Sequence, residues 1–174
     1  MTKLKRRVRA LPLVALALLV LGGVGALAQR SYMVNRSGQP EVKIALAGTV
    51  ERGGAQLALD KVSDVRPGEV LDWTLTSVNE GTGAAREFKA TGQIPKGTML
   101  IVGSTTADGS AVVTYSIDNG KSYSTQPTIE EKQADGTLKR VSAPVSMYTQ
   151  VRYEWSDALA VGGKLSAAYK VRVR

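Results

Sequence analysis

Residues 65–81 read VRPGEVLDWTLTSVNEG, which places a turn, a strand and a second turn in one stretch. Pro67 and Gly68 fit the central positions of a type II turn, because proline presets the first φ and glycine accepts the positive second one. Leu71, Trp73 and Leu75 then fall on one side of an extended chain and Asp72, Thr74 and Thr76 on the other. That period of two is expected of a strand with one buried face. Asn79 to Gly81 closes the strand with a turn.

Working outward, short strands with turn signals recur on both sides. Upstream, Val42, Ile44 and Leu46 alternate with Lys43, Ala45 and Ala47; residues 48–54 read as a loop; Leu57, Leu59 and Lys61 continue an alternating run. Downstream, residues 86–93 read as a strand containing Phe88, Pro95 and Gly97 mark a turn, and residues 99–102 a short apolar strand. Val113, Tyr115 and Ile117 share a face before Asn119 and Gly120, a pair that tolerates positive φ and predicts a tight hairpin. Residues 126–144 mix both charge signs around Gly136 and read as a solvated excursion, with docking through that charge cluster as the weaker reading. Val151, Tyr153 and Trp155, then Leu165, Ala167, Tyr169, Val171 and Val173, give the clearest alternation.

No segment after residue 41 carries a helical stripe, so the expected fold is an all-β, antiparallel, Ig-like sandwich over residues 42–174. Its predicted core is Leu71, Trp73, Leu75, Val113, Tyr115, Tyr153, Trp155, Tyr169 and Val171.

The N-terminus has a different character. Lys3, Lys5, Arg6, Arg7 and Arg9 precede an apolar run over residues 10–21, three glycines and Ala26-Leu27-Ala28. This order predicts an export signal over residues 1–28, cut between Ala28 and Gln29, followed by a flexible leader over residues 29–41. The alternative is a hydrophobic helix over residues 10–28 kept in the membrane, disfavoured by Pro12 and the glycines. Asn35-Arg36-Ser37 matches a glycosylation sequon, a pattern common by chance.

Charge and composition narrow the function. The formal charge is +8, but the signal holds five basic residues and no acidic ones, leaving 18 Lys and Arg against 15 Asp and Glu. With no long basic run and one Phe, nucleic acid is not an expected partner. Histidine and cysteine are absent, which removes the commonest general base, the Ser-His-Asp arrangement, thiol nucleophiles and the usual metal ligands. The carboxylates are scattered, with nothing marking a glycosidase pair. Asp118 and Asn119 lack the further carboxylates of a calcium loop. The expectation is therefore no enzyme activity and no cofactor.

Taken together, Pro67-Gly68-Glu69, Leu71, Trp73, Leu75, Asn79 and Gly81, then Ile94-Pro95 and Gly97-Thr98, resemble a conserved repeat domain of bacterial and archaeal surface proteins, domain of unknown function eleven. Residues 115–120 and 151–153 resemble its second half, and the likeness covers about residues 57–174. It implies an Ig-like, exported, non-catalytic module with a protein partner in the cell envelope, located in the periplasm or at the cell surface. Ser77 stands where the family usually has an apolar residue, which predicts a less buried strand end. The single copy and the absence of an anchor after Arg174 leave attachment to the surface in doubt. Surface sandwiches of this type can also crosslink a lysine to an asparagine, which here would need Lys61 or Lys89 beside Asn79; hydrogen bonding of Asn79 within its own turn is the preferred reading. Two alternatives accompany the interaction module. One is a filament subunit that uses the leader or residues 42–50 in β-strand addition. The other is a carbohydrate-binding module, which would need exposed coplanar aromatics.

Overall fold

The computed structural model describes residues 38–174. The expected export signal, its expected cleavage site between Ala28 and Gln29, the Asn35-Arg36-Ser37 sequon and most of the expected leader lie outside the described residues.

The described residues form eleven strands. They are β1 (Val42–Arg52), β2 (Ala55–Ala58), β3 (Val70–Asn79), β4 (Lys89–Gln93), β5 (Thr98–Leu100), β6 (Thr106–Ala107), β7 (Ala111–Ser116), β8 (Thr128–Lys132), β9 (Leu138–Ser142), β10 (Gln150–Trp155) and β11 (Lys164–Val173). All pairings are antiparallel. One sheet runs β2-β1-β3-β11-β5, with β6 also on β11, and a smaller one runs β4-β10-β7. The two bury a shared apolar core, the packing expected of an all-β sandwich.

Alternation drives the core as the sequence predicts. Leu71 and Leu75 from β3, Val171 and Tyr169 from β11, and Val151, Tyr153 and Trp155 from β10 are all buried. Two tyrosines tie the sheets together: the Tyr153 hydroxyl donates to the Ala168 carbonyl, and the Tyr169 hydroxyl to that of Gln93. Gly92 makes room for the second, since a Cβ there would lie 2.3 Å from the Tyr169 ring.

Several expectations are corrected. Trp73, Val113 and Tyr115 share the inner parity but are only partly buried, because β7 is the edge of the smaller sheet and Trp73 lies at the margin of the larger sheet's covered area. Ser77 is buried, as is Asn79 beside it, so that strand end is more enclosed than the substitution suggested. Residues 48–52 are strand and not loop; only Gly53 and Gly54, with φ of 60° and 80°, make the turn into β2. Gly48 is small because a Cβ there would fall 2.8 Å from the Trp73 ring. Past β2, Leu59–Lys61 is a 3-10 turn, not further strand. The short apolar strand ends at Leu100, leaving Val102 76% exposed.

The segment 126–144 is the largest departure. It forms a separate two-stranded hairpin, β8 with β9, in which Glu130 faces Arg140 and Glu131 faces Lys139. Ile129 faces Val141 as its one half-buried pair, and among the described residues the opposed charges form no ion pair within 4 Å.

Candidate functional site

The family-like turn residues serve the backbone. Glu69 N–H donates to the Arg66 carbonyl at 3.1 Å with Gly68 at φ 87°, the geometry of a type II turn around Pro67 and Gly68. The Glu69 carboxylate caps it, accepting from Arg66 N–H at 2.8 Å and from Arg52 Nε and Nη2 at 2.7 and 2.9 Å. These bonds, the Arg52 guanidinium first, hold its carboxyl at about 2. Thr98 N–H closes the second turn on the Pro95 carbonyl, with Gly97 at φ 81°.

Asn79 is the centre of a larger arrangement. Its Oδ1 accepts from Glu41 N–H and Gly81 N–H at 3.2 and 3.1 Å, and its Nδ2 donates to the Gly83 and Leu159 carbonyls at 2.8 and 2.9 Å. Every hydrogen-bonding position of the amide that two donors and two ordinary acceptor contacts can use is filled by backbone. Gly81 is required by close approach, since a Cβ there would sit 2.3 Å from the Gln39 carbonyl oxygen. Lys89 pairs instead with Glu154 at 3.2 Å.

Asn119 and Gly120 both have positive φ, and Tyr115 and Ser124 exchange backbone hydrogen bonds across the turn. Asp118 is enclosed by it: the Ser122 hydroxyl, the Ser122 N–H and the Ser116 hydroxyl hold its carboxyl well below the usual range. Among the described residues no group of three or more carboxylates is arranged to hold a metal. On the outer face of β10, Arg152 covers the Tyr123 ring at 3.7 Å and pairs with Glu154. Burial raises the Glu154 carboxyl, but Arg152 and Lys89 outweigh it and the net direction is down. Tyr115 and Tyr148 pack on each other at 5.1 Å, and Phe88 stacks on Trp155.

Residues 42–50, which the sequence offered for β-strand addition, leave one side of β1 uncovered up to Gly48 among the described residues. The smaller sheet is too narrow to cover the strands beyond β3, so the inner face of β1 is open: Ile44 and Leu46 are 48% and 49% exposed, whereas Val50 is 1% exposed. Leu46, Gly48, Leu59 and Trp73 line a groove of about 440 Å³ there, and the buried Trp73 indole N–H has no hydrogen-bond partner among the described residues. Among the described residues the edge is open as well, because β2 pairs only with Thr49 to Arg52. Alternation in Val42, Ile44 and Leu46 marked a strand, but it could not reveal that the covering layer stops short.

Backbone direction along this edge follows from the ladder with β3. The carbonyls of Gln39 and Glu41 accept from Thr82 and Glu80, and Glu41 N–H reaches Asn79. Odd-numbered residues therefore turn their peptide groups toward β3, and Val42, Ile44 and Leu46 turn theirs outward. Searches of protein-family models, curated proteins and solved structures match nothing to this chain.

Proposed function

We propose that the chain is an exported, non-enzymatic, Ig-like structural or protein-interaction module of the bacterial cell envelope, of the kind the surface repeat domain represents. The observation that carries this reading is the use made of the polar residues in the family-like turns. Asn79, Glu69 and Thr98 spend their hydrogen bonds on backbone and a neighbouring arginine, so their chemistry supports loops. The open β1 edge supplies contact surface.

The test is intact-mass and N-terminal analysis of the protein recovered from envelope and medium fractions. A chain beginning at Gln29 in either fraction is expected; a protein found only in the cytoplasm with Met1 retained would sink the export reading. Assembly by β-strand addition is the second reading, and the uncovered edge of β1 favours it.

A further inference from the structure

We propose that β1 is a self-pairing edge: two copies of the chain join antiparallel along residues 38–46, with a two-fold axis at Val42. This deepens the interaction-module reading and rests on it, naming a second copy as the partner.

The outward peptide groups decide which registers are possible. Since Val42, Ile44 and Leu46 present their N–H and carbonyl groups to the open side and Pro40 its carbonyl alone, a second strand must set even residues against even ones, with Ile44 N–H donating to Pro40 and receiving nothing from it. A two-fold axis makes the same patch serve both copies. The neighbouring structure then narrows the choice. On the same edge, β2 occupies the space beside Thr49 onward, so a register centred farther along β1 would drive the partner's β2 into residues 38–41. Those residues run straight on from β1, hydrogen-bonded to residues 79–83. Centring on Val42 avoids that collision.

Charge selects the same register. Glu41 and Lys43 are the charged side chains of residues 38–48, and both are exposed. Around Val42, Glu41 of each copy stands opposite Lys43 of the other, giving two cross-strand pairs of opposite sign. Centring on Lys43 would instead place lysine against lysine. On the inner face, Ile44 meets Pro40 of the second copy and Val42 meets Val42, so half-exposed apolar groups are covered from both sides. An open, apolar edge without such cover is a pairing template, and among the described residues this is the longest uncovered one.

Sedimentation velocity on the purified protein tests the idea through charge reversal. Wild type is expected to be a dimer. E41K and K43E should each weaken association at least about tenfold by setting like charges opposite each other. An equimolar mixture of the two variants should restore a dimer, because every cross-strand pair is again of opposite sign. Both side chains are exposed, but Lys43 also pairs with Glu80 of its own copy, so far-ultraviolet circular dichroism with a thermal melt checks folding and E80Q, which removes only that internal pair, should leave the dimer intact.

V42C gives a second reading: the chain has no cysteine, and facing residues of a hydrogen-bonded pair lie about 5.5 Å apart, within disulfide reach. Oxidation should therefore give a covalent dimer with V42C and not with A47C. A wild-type monomer at every concentration would overturn self-pairing while leaving the module reading intact. Open-ended oligomers would overturn the two-fold arrangement, and a dimer indifferent to all these changes would place the interface elsewhere. The module reading itself fails separately, on the export measurement.

Discussion

Asn79 at the end of β3 donates through Nδ2 to the carbonyl of Leu159, 80 residues further along the chain, at 2.9 Å. The same amide holds Glu41, Gly81 and Gly83, so one side chain fixes the entry to β1, its own turn and the loop before β11. In the Asn79→Ala variant the Glu41 and Gly81 N–H groups and the Gly83 carbonyl lose this partner in a half-buried setting, while the Leu159 carbonyl keeps the Ala85 N–H. A loss of about 3 kcal/mol is expected, since each orphaned group costs roughly 1–3 and part of the loss is recovered by water. Urea denaturation measures it, and a change under about 0.5 would mean that the clasp is dispensable.

The two tryptophans should respond differently to loss of the indole N–H. Trp155 Nε1 donates to the Asp108 carbonyl at 2.8 Å, whereas Trp73 Nε1 is buried without a partner among the described residues. Trp155→Phe leaves that carbonyl unpaired, with an expected cost of about 2 kcal/mol or more. Trp73→Phe removes a donor that bonds nothing and should cost less than its counterpart, despite similar lost volume. Equal losses would show that volume alone decides, and that the Trp73 N–H carries no penalty.

Packing of the two sheets can be tested at Gly92. A methyl there lies 2.3 Å from Tyr169, which is fully buried and bonded to Gln93. Gly92→Ala must displace the ring or separate the sheets, and overpacking of this kind costs about 1–3 kcal/mol. In the Gly92→Ala, Tyr169→Phe double variant the two costs should fail to add, because both act on the same hydroxyl contact. Additive costs would indicate that the ring stays in place.

Much of this fold is legible in the sequence wherever a strand has one covered face. β3, β10 and β11 lie centrally in their sheets, and their alternation predicts the buried set. The same logic fails at the margins. Ile44 and Leu46 have the right parity but no layer above them, a matter of sheet width and not of local pattern. Val113 and Tyr115 fall short for the related reason that β7 is an edge. The β8–β9 hairpin is hard to read because it holds a single half-buried apolar pair, Ile129 with Val141, although Glu130-Glu131 followed by Lys139-Arg140 carries opposite signs at the positions that face each other. Asn79 was legible as a turn residue, but its reach to Leu159 depends on two loops meeting.

Acid should destabilise the protein partly through Glu69. Its carboxyl is held at about 2 by the Arg52 side chain first and the Arg66 N–H second, against an ordinary value of 4.5. The folded value is depressed, so the contribution is fully present above 4.5 and is lost as the pH falls from there toward about 2, where the folded state also takes up the proton. Urea midpoints measured down this window should decline in wild type and decline less steeply in Glu69→Gln, which has no proton to gain. Asp118 is depressed as well, so Asp118→Asn on both backgrounds separates the two contributions. If wild type and Glu69→Gln followed parallel curves, the Arg52–Glu69 pair would be contributing nothing that depends on protonation.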